Sequence, residues 1–189
     1  MKNIVYHGSK QNLDIITSHK STHQKECIYG TSEKVVSLLF MGKGKGDLDT
    51  MIATIDNNLI LVERRKGVLD KIYNKSGYLY ELDASSFNHY DYLWSKEMIS
   101  FKKSLKPLNK IYYANILDAI NEEAKKGNII VYRYPNRPNN VPLDNSDLID
   151  KYIEFENKGL TGAINDLLEI YPEFVEIVKE KMDENQRKI

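Results

Sequence analysis

With 189 residues, the chain fits one domain, or one domain with a small appendage, and can bury a core without staples. Its 27 Lys and Arg balance 27 Asp and Glu, so net charge gives no overall pull toward nucleic acid or an anionic membrane and leaves room only for a local basic patch. Cys27 is the sole cysteine, which excludes an internal disulfide and suits a reducing compartment, and the apolar run Ile4-Val5-Tyr6 is far too short for a secretory leader or a span, so a cytoplasmic protein without a membrane partner is expected.

Asn3 to Tyr6 reads as a first strand, with His7 at its C-terminal end in Tyr6-His7-Gly8-Ser9. Lys10 to Lys25 is polar, anchored only by Leu13, Ile15 and Ile16, and reads as a surface loop or a short helical turn. His19, His23 and Cys27 stand at spacings of four, which on a continuous helix would align three metal ligands. Ser18, Ser21 and Thr22 are poor helix formers, however, and Cys27 belongs to the next strand, so no metal is expected. That second strand, Glu26 to Tyr29, ends in Ile28-Tyr29-Gly30-Thr31, where Thr31 or Ser32 can cap a helix over 32–41 carrying Val35, Val36, Leu39 and Phe40 on one face and stopped by Gly42. Gly42 to Asp47 alternates Gly and Lys without a Walker pattern and reads as a mobile surface loop.

From Thr50 to Asp83 the pattern predicts a meander of four strands, Met51 to Ile55, Asn58 to Glu63, Val68 to Tyr73 and Tyr78 to Leu82, with turns at Asp56-Asn57, Lys66-Gly67 and Lys75-Ser76-Gly77. Phe87 to Trp94 is an aromatic linker, a strand-like run opens at Glu97, and Ile111 to Ala114 reads as another strand. Asn115 can cap a helix bearing Ile116, Leu117, Ile120 and Ala124, closed by Gly127, before a final strand over 128–134. Three of the five prolines fall in 135–142, a strap that separates an α+β domain over 1–134 from a helical appendage over 143–189, expected to pack on it. The appendage reads as three helices: one on Leu148, Ile149, Tyr152 and Ile153, one on Leu160, Ile164, Leu167, Leu168 and Tyr171, and one on Phe174, Val175, Val178 and Met182. Asp183 with Arg187 and Glu184 with Lys188 mark a solvated face of the last.

A His and a Tyr on neighbouring strand ends can face one cleft, with Gly8 and Gly30 leaving room for a ligand at the backbone. Taken singly, His7 reads as a turn cap, Tyr29 as a core tyrosine, and Glu97 as a surface ion-pair partner of Lys96, Lys102 or Lys103. Taken together, Tyr6-His7-Gly8-Ser9, then Ile28-Tyr29-Gly30-Thr31 before a helix, then Glu97 in Ser95-Lys96-Glu97-Met98, resemble the His-Tyr-Glu branch of the ADP-ribosyltransferase fold, that of diphtheria toxin and the poly-ADP-ribose polymerases, over roughly residues 3 to 133. The resemblance implies split, mostly antiparallel small sheets with a central cleft, and NAD as substrate. It would place His7 on a ribose hydroxyl, the Gly8 backbone on the nicotinamide carboxamide, and Tyr29 against the nicotinamide ring, with Ser9 and Thr31 completing the binding set. Glu97 would be catalytic, bonded to the 2′-hydroxyl of the nicotinamide ribose. The chemistry is coherent, because bound nicotinamide is a cationic aromatic ring that a Tyr face attracts, and its departure leaves an oxocarbenium-like sugar that a carboxylate stabilises.

Ser95 departs from the branches that modify arginine or asparagine, which carry Glu or Gln two positions before the catalytic Glu, so those acceptors are not expected. The function expected is mono-ADP-ribosyl transfer from NAD to an unidentified intracellular acceptor. The alternative is a catalytically inactive nucleotide- or partner-binding module on the same fold. RNA 2′-phosphotransferase chemistry on the related fold ranks last, since Arg64, Arg65, Arg133 and Arg137 do not form the set around the His that it needs.

Overall fold

A computed structural model describes residues 3–20, 25–42 and 44–186, the side chains of 185 and 186 excepted; His23, Ser21, Thr22, Lys43, Arg187 and Lys188, on which readings above rest in part, lie outside the described residues. The described residues mix α and β structure, with several small antiparallel sheets and six α-helices, compatible with the expected α+β class. In order these are β1 (Ile4–Ser9), β2 (Ile16–Thr17), β3 (His19–Lys20), β4 (Glu26–Gly30), α1 (Lys34–Phe40), β5 (Thr50–Ile55), β6 (Asn58–Glu63), α2 (Val68–Tyr73), β7 (Gly77–Asp83), β8 (Met98–Ser100), β9 (Ser104–Leu105), β10 (Asn109–Tyr113), α3 (Ile116–Lys125), β11 (Ile130–Tyr132), α4 (Asp147–Asn157), α5 (Ala163–Ile170) and α6 (Val175–Gln186).

The expected meander fails at Val68–Tyr73, which is the helix α2. Val68, Leu69, Ile72 and Tyr73 are buried while Asp70 and Lys71 are not, a spacing of one, three and one that fits one face of a helix and cannot alternate across a strand. The Asp56-Asn57 turn holds, with both residues at positive φ (49° and 63°), the signature of a tight hairpin. Residues 10–20 also differ from expectation, since Ile16–Thr17 and His19–Lys20 form short strands.

Two compact units divide the chain: the first comprises Met1–Gly44, Thr54–Leu59 and Leu69–Ile130, and the second Lys45–Ala53, Ile60–Val68 and Val131–Ile189. In the first, one sheet is ordered β1-β7-β10, another β3-β4-β8, and β2 pairs with β9. Tyr6 and Thr31 join the two larger sheets by exchanging backbone bonds, Tyr6 N to Thr31 O at 2.7 Å and Thr31 N to Tyr6 O at 3.0 Å, so β1 runs beside the end of β4. Val5, Ile16, Ile28, Tyr80, Leu82 and Phe87 form the core below that junction. Helix α3 starts as expected: the Asn115 side chain accepts from the amides of Leu117 (2.9 Å) and Asp118 (3.3 Å), and Gly127 adopts φ +79° just beyond its end.

The second unit has its own core, with Leu148, Ile149, Tyr152, Ile153, Ile164, Leu167, Tyr171, Phe174 and Val178 around Leu48. Tyr171 donates its hydroxyl to the Leu48 carbonyl at 2.6 Å. Leu160, expected on an apolar face, is 60% exposed, because the helix begins only at Ala163 and residues 159–162 form the preceding turn.

Candidate functional site

His7 stands within β1 rather than at its end, and the strand carries its side chain to the wall of a cavity of about 500 Å³. Gly8, Ser9, Lys10 and Gln11 follow it round one side, Leu13, Ile16, Thr17 and His19 line another, and Phe40 and Met41 close the cavity from the end of α1. The His7 Nδ1 lies 2.8 Å from the Tyr29 carbonyl oxygen. A carbonyl only accepts, so Nδ1 carries the proton and the neutral ring keeps Nε2 as an acceptor. Burial pushes the His7 pKa below its ordinary value; the bond to Tyr29 pulls it part of the way back, and nearby His19 pushes it down again.

The remaining expected site residues divide. Ser9 lines the cavity and its Oγ accepts from the Gln11 amide at 3.1 Å. Thr31 is fully buried and structural, since besides its backbone bonds to Tyr6 its Oγ1 accepts the Glu33 amide at 3.1 Å, which orders the entry to α1 without capping it directly. The two glycines leave space that the protein itself fills: a Cβ on Gly8 would lie 2.1 Å from the Ser37 carbonyl, and one on Gly30 2.2 Å from Val5 Cγ1. Their first role is therefore close packing of β1 on α1 and of β4 on β1.

Tyr29 does not line the cavity and acts on it only through its carbonyl, which holds the His7 ring. Along β4, Ile28 and Gly30 point to Val5, on whose side of β1 His7 also lies, whereas the Tyr29 ring packs with Cys27, Tyr90, Leu93 and Ile99 on the opposite face. Glu97 stands one residue before β8, whose Met98 pairs with Gly30, so its backbone sits beside Thr31 at the same strand ends. Its Oε2 accepts the Trp94 amide at 3.2 Å, its own amide donates to the Trp94 carbonyl at 2.8 Å, and its carbonyl oxygen accepts from His89 at 3.0 Å. An ion pair between Lys96 and Glu33 ties this turn to the start of α1, and the Trp94 ring meets Phe40 edge-on at 6.3 Å. The Glu97 turn thus borders the helix that closes the cavity, while the cavity wall includes neither Glu97 nor the Tyr29 ring.

Phe40 is the aromatic face the cavity does present. Sequence periodicity placed it among the core residues of α1; the signal that separates it is its position at the last turn, directly before Met41 and Gly42, where the helix stops and the ring stays half-buried. Among the described residues no group of three His, Cys, Asp or Glu is arranged to hold a metal. His19 and Cys27 face each other across the β3–β4 pair rather than along a helix. A second cavity of about 350 Å³, between Lys34, Tyr113 and the start of α3, is walled by charges that answer one another: Glu123 accepts from Lys126 at 2.9 Å and Asn128 at 2.6 Å, with Lys34 at 3.8 Å.

Comparison with family models, curated proteins and solved structures returns no match to this chain. No described helix is long and apolar enough to cross a membrane.

Proposed function

We propose that the chain binds NAD in the His7 cavity and transfers its ADP-ribose to an acceptor, the activity implied by the resemblance to the His-Tyr-Glu ADP-ribosyltransferases. The observation that carries this reading is the pinned imidazole: Tyr29 holds the Nδ1 proton at 2.8 Å, so His7 offers a cavity of about 500 Å³ a fixed acceptor for a ribose hydroxyl. Strand order supports it as well, since β8, β4, β1, β7 and β10 succeed one another through the Tyr6–Thr31 bridge, so that the end of β4 at Gly30 and the start of β8 after Glu97 adjoin the strand that carries His7.

In this reading Phe40 takes the stacking role first assigned to Tyr29, because its ring lines the cavity and a cationic nicotinamide is attracted to an aromatic face. Glu97 bonds the 2′-hydroxyl of the nicotinamide ribose. The bond from the ribose anomeric carbon to the nicotinamide nitrogen breaks with its electron pair leaving on nicotinamide, which departs neutral and needs no general acid. The carboxylate stabilises the positive charge left on the sugar until an acceptor lone pair attacks.

A second reading, a nucleotide-binding module without transfer, is favoured by one feature: the Glu97 carboxylate is occupied by the Trp94 amide and lies outside the cavity wall. Nicotinamide release measured beside calorimetric NAD binding separates the two. Transfer predicts release that Glu97→Gln slows by roughly 100- to 1,000-fold while NAD affinity is nearly unchanged, and Phe40→Ala weakens binding itself. Wild-type binding without release, even with cell extract supplied as acceptor, selects the module. No binding of NAD to the wild type defeats both.

A further inference from the structure

We propose that the face of the first unit formed by Tyr90, Tyr92, Phe101, Lys102 and Lys103 binds single-stranded nucleic acid, a partner that the balanced net charge conceals. Tyr92 is 40% and Phe101 52% exposed, an unusual cost for large rings unless a partner covers them. They belong to one aromatic platform: Tyr90 stacks on Tyr92 with centroids 5.6 Å apart and planes at 24°, and meets Phe101 edge-on at 5.8 Å. Lys25 lies over the Tyr92 ring, its Nζ 4.0 Å from the centroid.

Lysines predominate in the sequence beside this platform. Met98 to Leu117 is a run of twenty residues with four lysines (102, 103, 106 and 110) and no carboxylate, and Ile15 to Lys25 likewise contains none. The fold sets the start of the second run beside the first: Ile16 and Thr17 pair with Leu105 and Ser104, and the Ser18 amide donates to the Lys103 carbonyl at 2.9 Å. Lys20, Lys102, Lys103 and Lys106 are all exposed on the resulting band. Carboxylates adjoin the band as well: Glu26 accepts the Ser18 hydroxyl at 2.8 Å, and Asp14 lies 3.5 Å from the Lys110 ammonium.

Flat rings flanked by lysines suit unpaired bases joined by phosphates, because every base has a stacking face and each phosphate a charge. An acidic peptide would satisfy the lysines but leave the rings unused, and a duplex would keep its bases inside the stack. The band also leads somewhere. Thr17 and His19, on the strands beside Lys103, line the His7 cavity, so a strand lying along the lysines reaches the mouth of that cavity.

Fluorescence anisotropy of a labelled pyrimidine oligonucleotide of about 12 nucleotides, within the usual site size of single-strand binders, tests the proposal. At low ionic strength the full chain should bind it, with affinity falling on added salt at a log–log slope near −3, as expected for about four neutralised phosphates at roughly −0.7 each. Phe101→Ala and Tyr92→Ala should each weaken binding by roughly 5- to 100-fold, the scale of one lost stacking partner. Lys102→Gln with Lys103→Gln should reduce the slope by about 1.4. All four side chains are exposed, and unchanged circular dichroism melting of the variants checks that folding is intact. Absence of binding overturns the proposal, as does equal affinity for duplex, or for inorganic polyphosphate with no loss in the aromatic variants. The proposal does not rest on the NAD reading: a Phe101→Ala chain that loses the oligonucleotide while NAD behaviour is unchanged separates the two.

Discussion

Arg64 in the second unit and His7 in the first are both cationic-capable side chains withdrawn from water, but their surroundings treat them differently. Arg64, 3% exposed, gives its Nη groups to Asp147 at 2.9 and 2.7 Å and to Asn145 at 3.2 Å. Arg137 gives its own to the carbonyls of Pro142 and Arg64, both at 2.7 Å, and to Asn145 at 2.5 Å, while Arg65 pairs with Asp49 and Arg133 lies 3.7 Å from Glu63. Among the described residues, the Nε atoms of Arg64, Arg65 and Arg137 are buried without a partner. This arginine set joins β6, the strap and the start of α4, and its paired Nη donors are spent on architecture. His7, by contrast, spends one nitrogen on Tyr29 and turns toward an open cavity. The paired Nη groups of this set answer other groups of the second unit, whereas the first unit's cavity has an imidazole on its wall with one nitrogen committed to Tyr29.

The largest expected effect breaks the arginine side of the contrast. Asp147→Ala leaves the Arg64 guanidinium buried beside Asn145 alone, and should cost about 3 kcal/mol, the low end for an orphaned buried ion because Asp147 is 32% exposed. Urea unfolding measures it. Replacing both partners, Arg64→Met with Asp147→Leu, should recover much of the loss, since no uncompensated charge is left behind. A single variant as stable as the wild type would mean that the pair contributes nothing and that these arginines are not committed to the fold.

A smaller effect sharpens the cavity side. Gly8→Ala puts a methyl 2.1 Å from the Ser37 carbonyl and 2.8 Å from Met41 Cγ. Met41 can turn aside, whereas backbone cannot, so β1 and α1 must part, and overpacking of this kind costs roughly 1–3 kcal/mol. The melting temperature of the variant should fall even in the absence of nucleotide. Unchanged melting with lost NAD binding would instead return Gly8 to the role of admitting a ligand.

Much of the fold is legible where local chemistry decides it. Asn115 and Gly127 bracket α3, Asp56-Asn57 turns a hairpin, and the apolar faces of α4 to α6 mark the helical part of the second unit. What the sequence hides is set by non-local pairing. Nothing between Gly77 and Asp83 says that β7 will leave its neighbours and pair with β1 on one side and β10 on the other. The α2 error is of another kind, a helical spacing overlooked in a run bounded by turn residues. For the site, His7 was readable because a histidine before Gly8-Ser9 ends an apolar run. The facing of Tyr29 was not, since a strand of five residues between two clusters offers the ring either face, and only the close approach of Gly30 to Val5 decides which. Phe40 was hidden by its helical period, which a core residue and a cavity wall share.

The smallest effect concerns pH and tests whether His7 acts as an acceptor. Burial holds its pKa below the ordinary imidazole value, so the neutral, accepting ring prevails at neutral pH. As pH falls through the lowered folded value, Nε2 gains a proton, the acceptor is lost, and NAD affinity should decline by at most about tenfold per pH unit. Folding shows the same sign, because the unfolded chain takes up the proton first and stability drops below the ordinary value. His19 also lines the cavity and pushes the His7 pKa down. Calorimetric NAD titrations of the His19→Gln variant from neutral to mildly acidic pH remove that influence and isolate His7. The decline should then begin at a higher pH than in the wild type; a variant whose NAD affinity is flat, or rises, as pH falls would show that the pinned imidazole does not accept from the ribose.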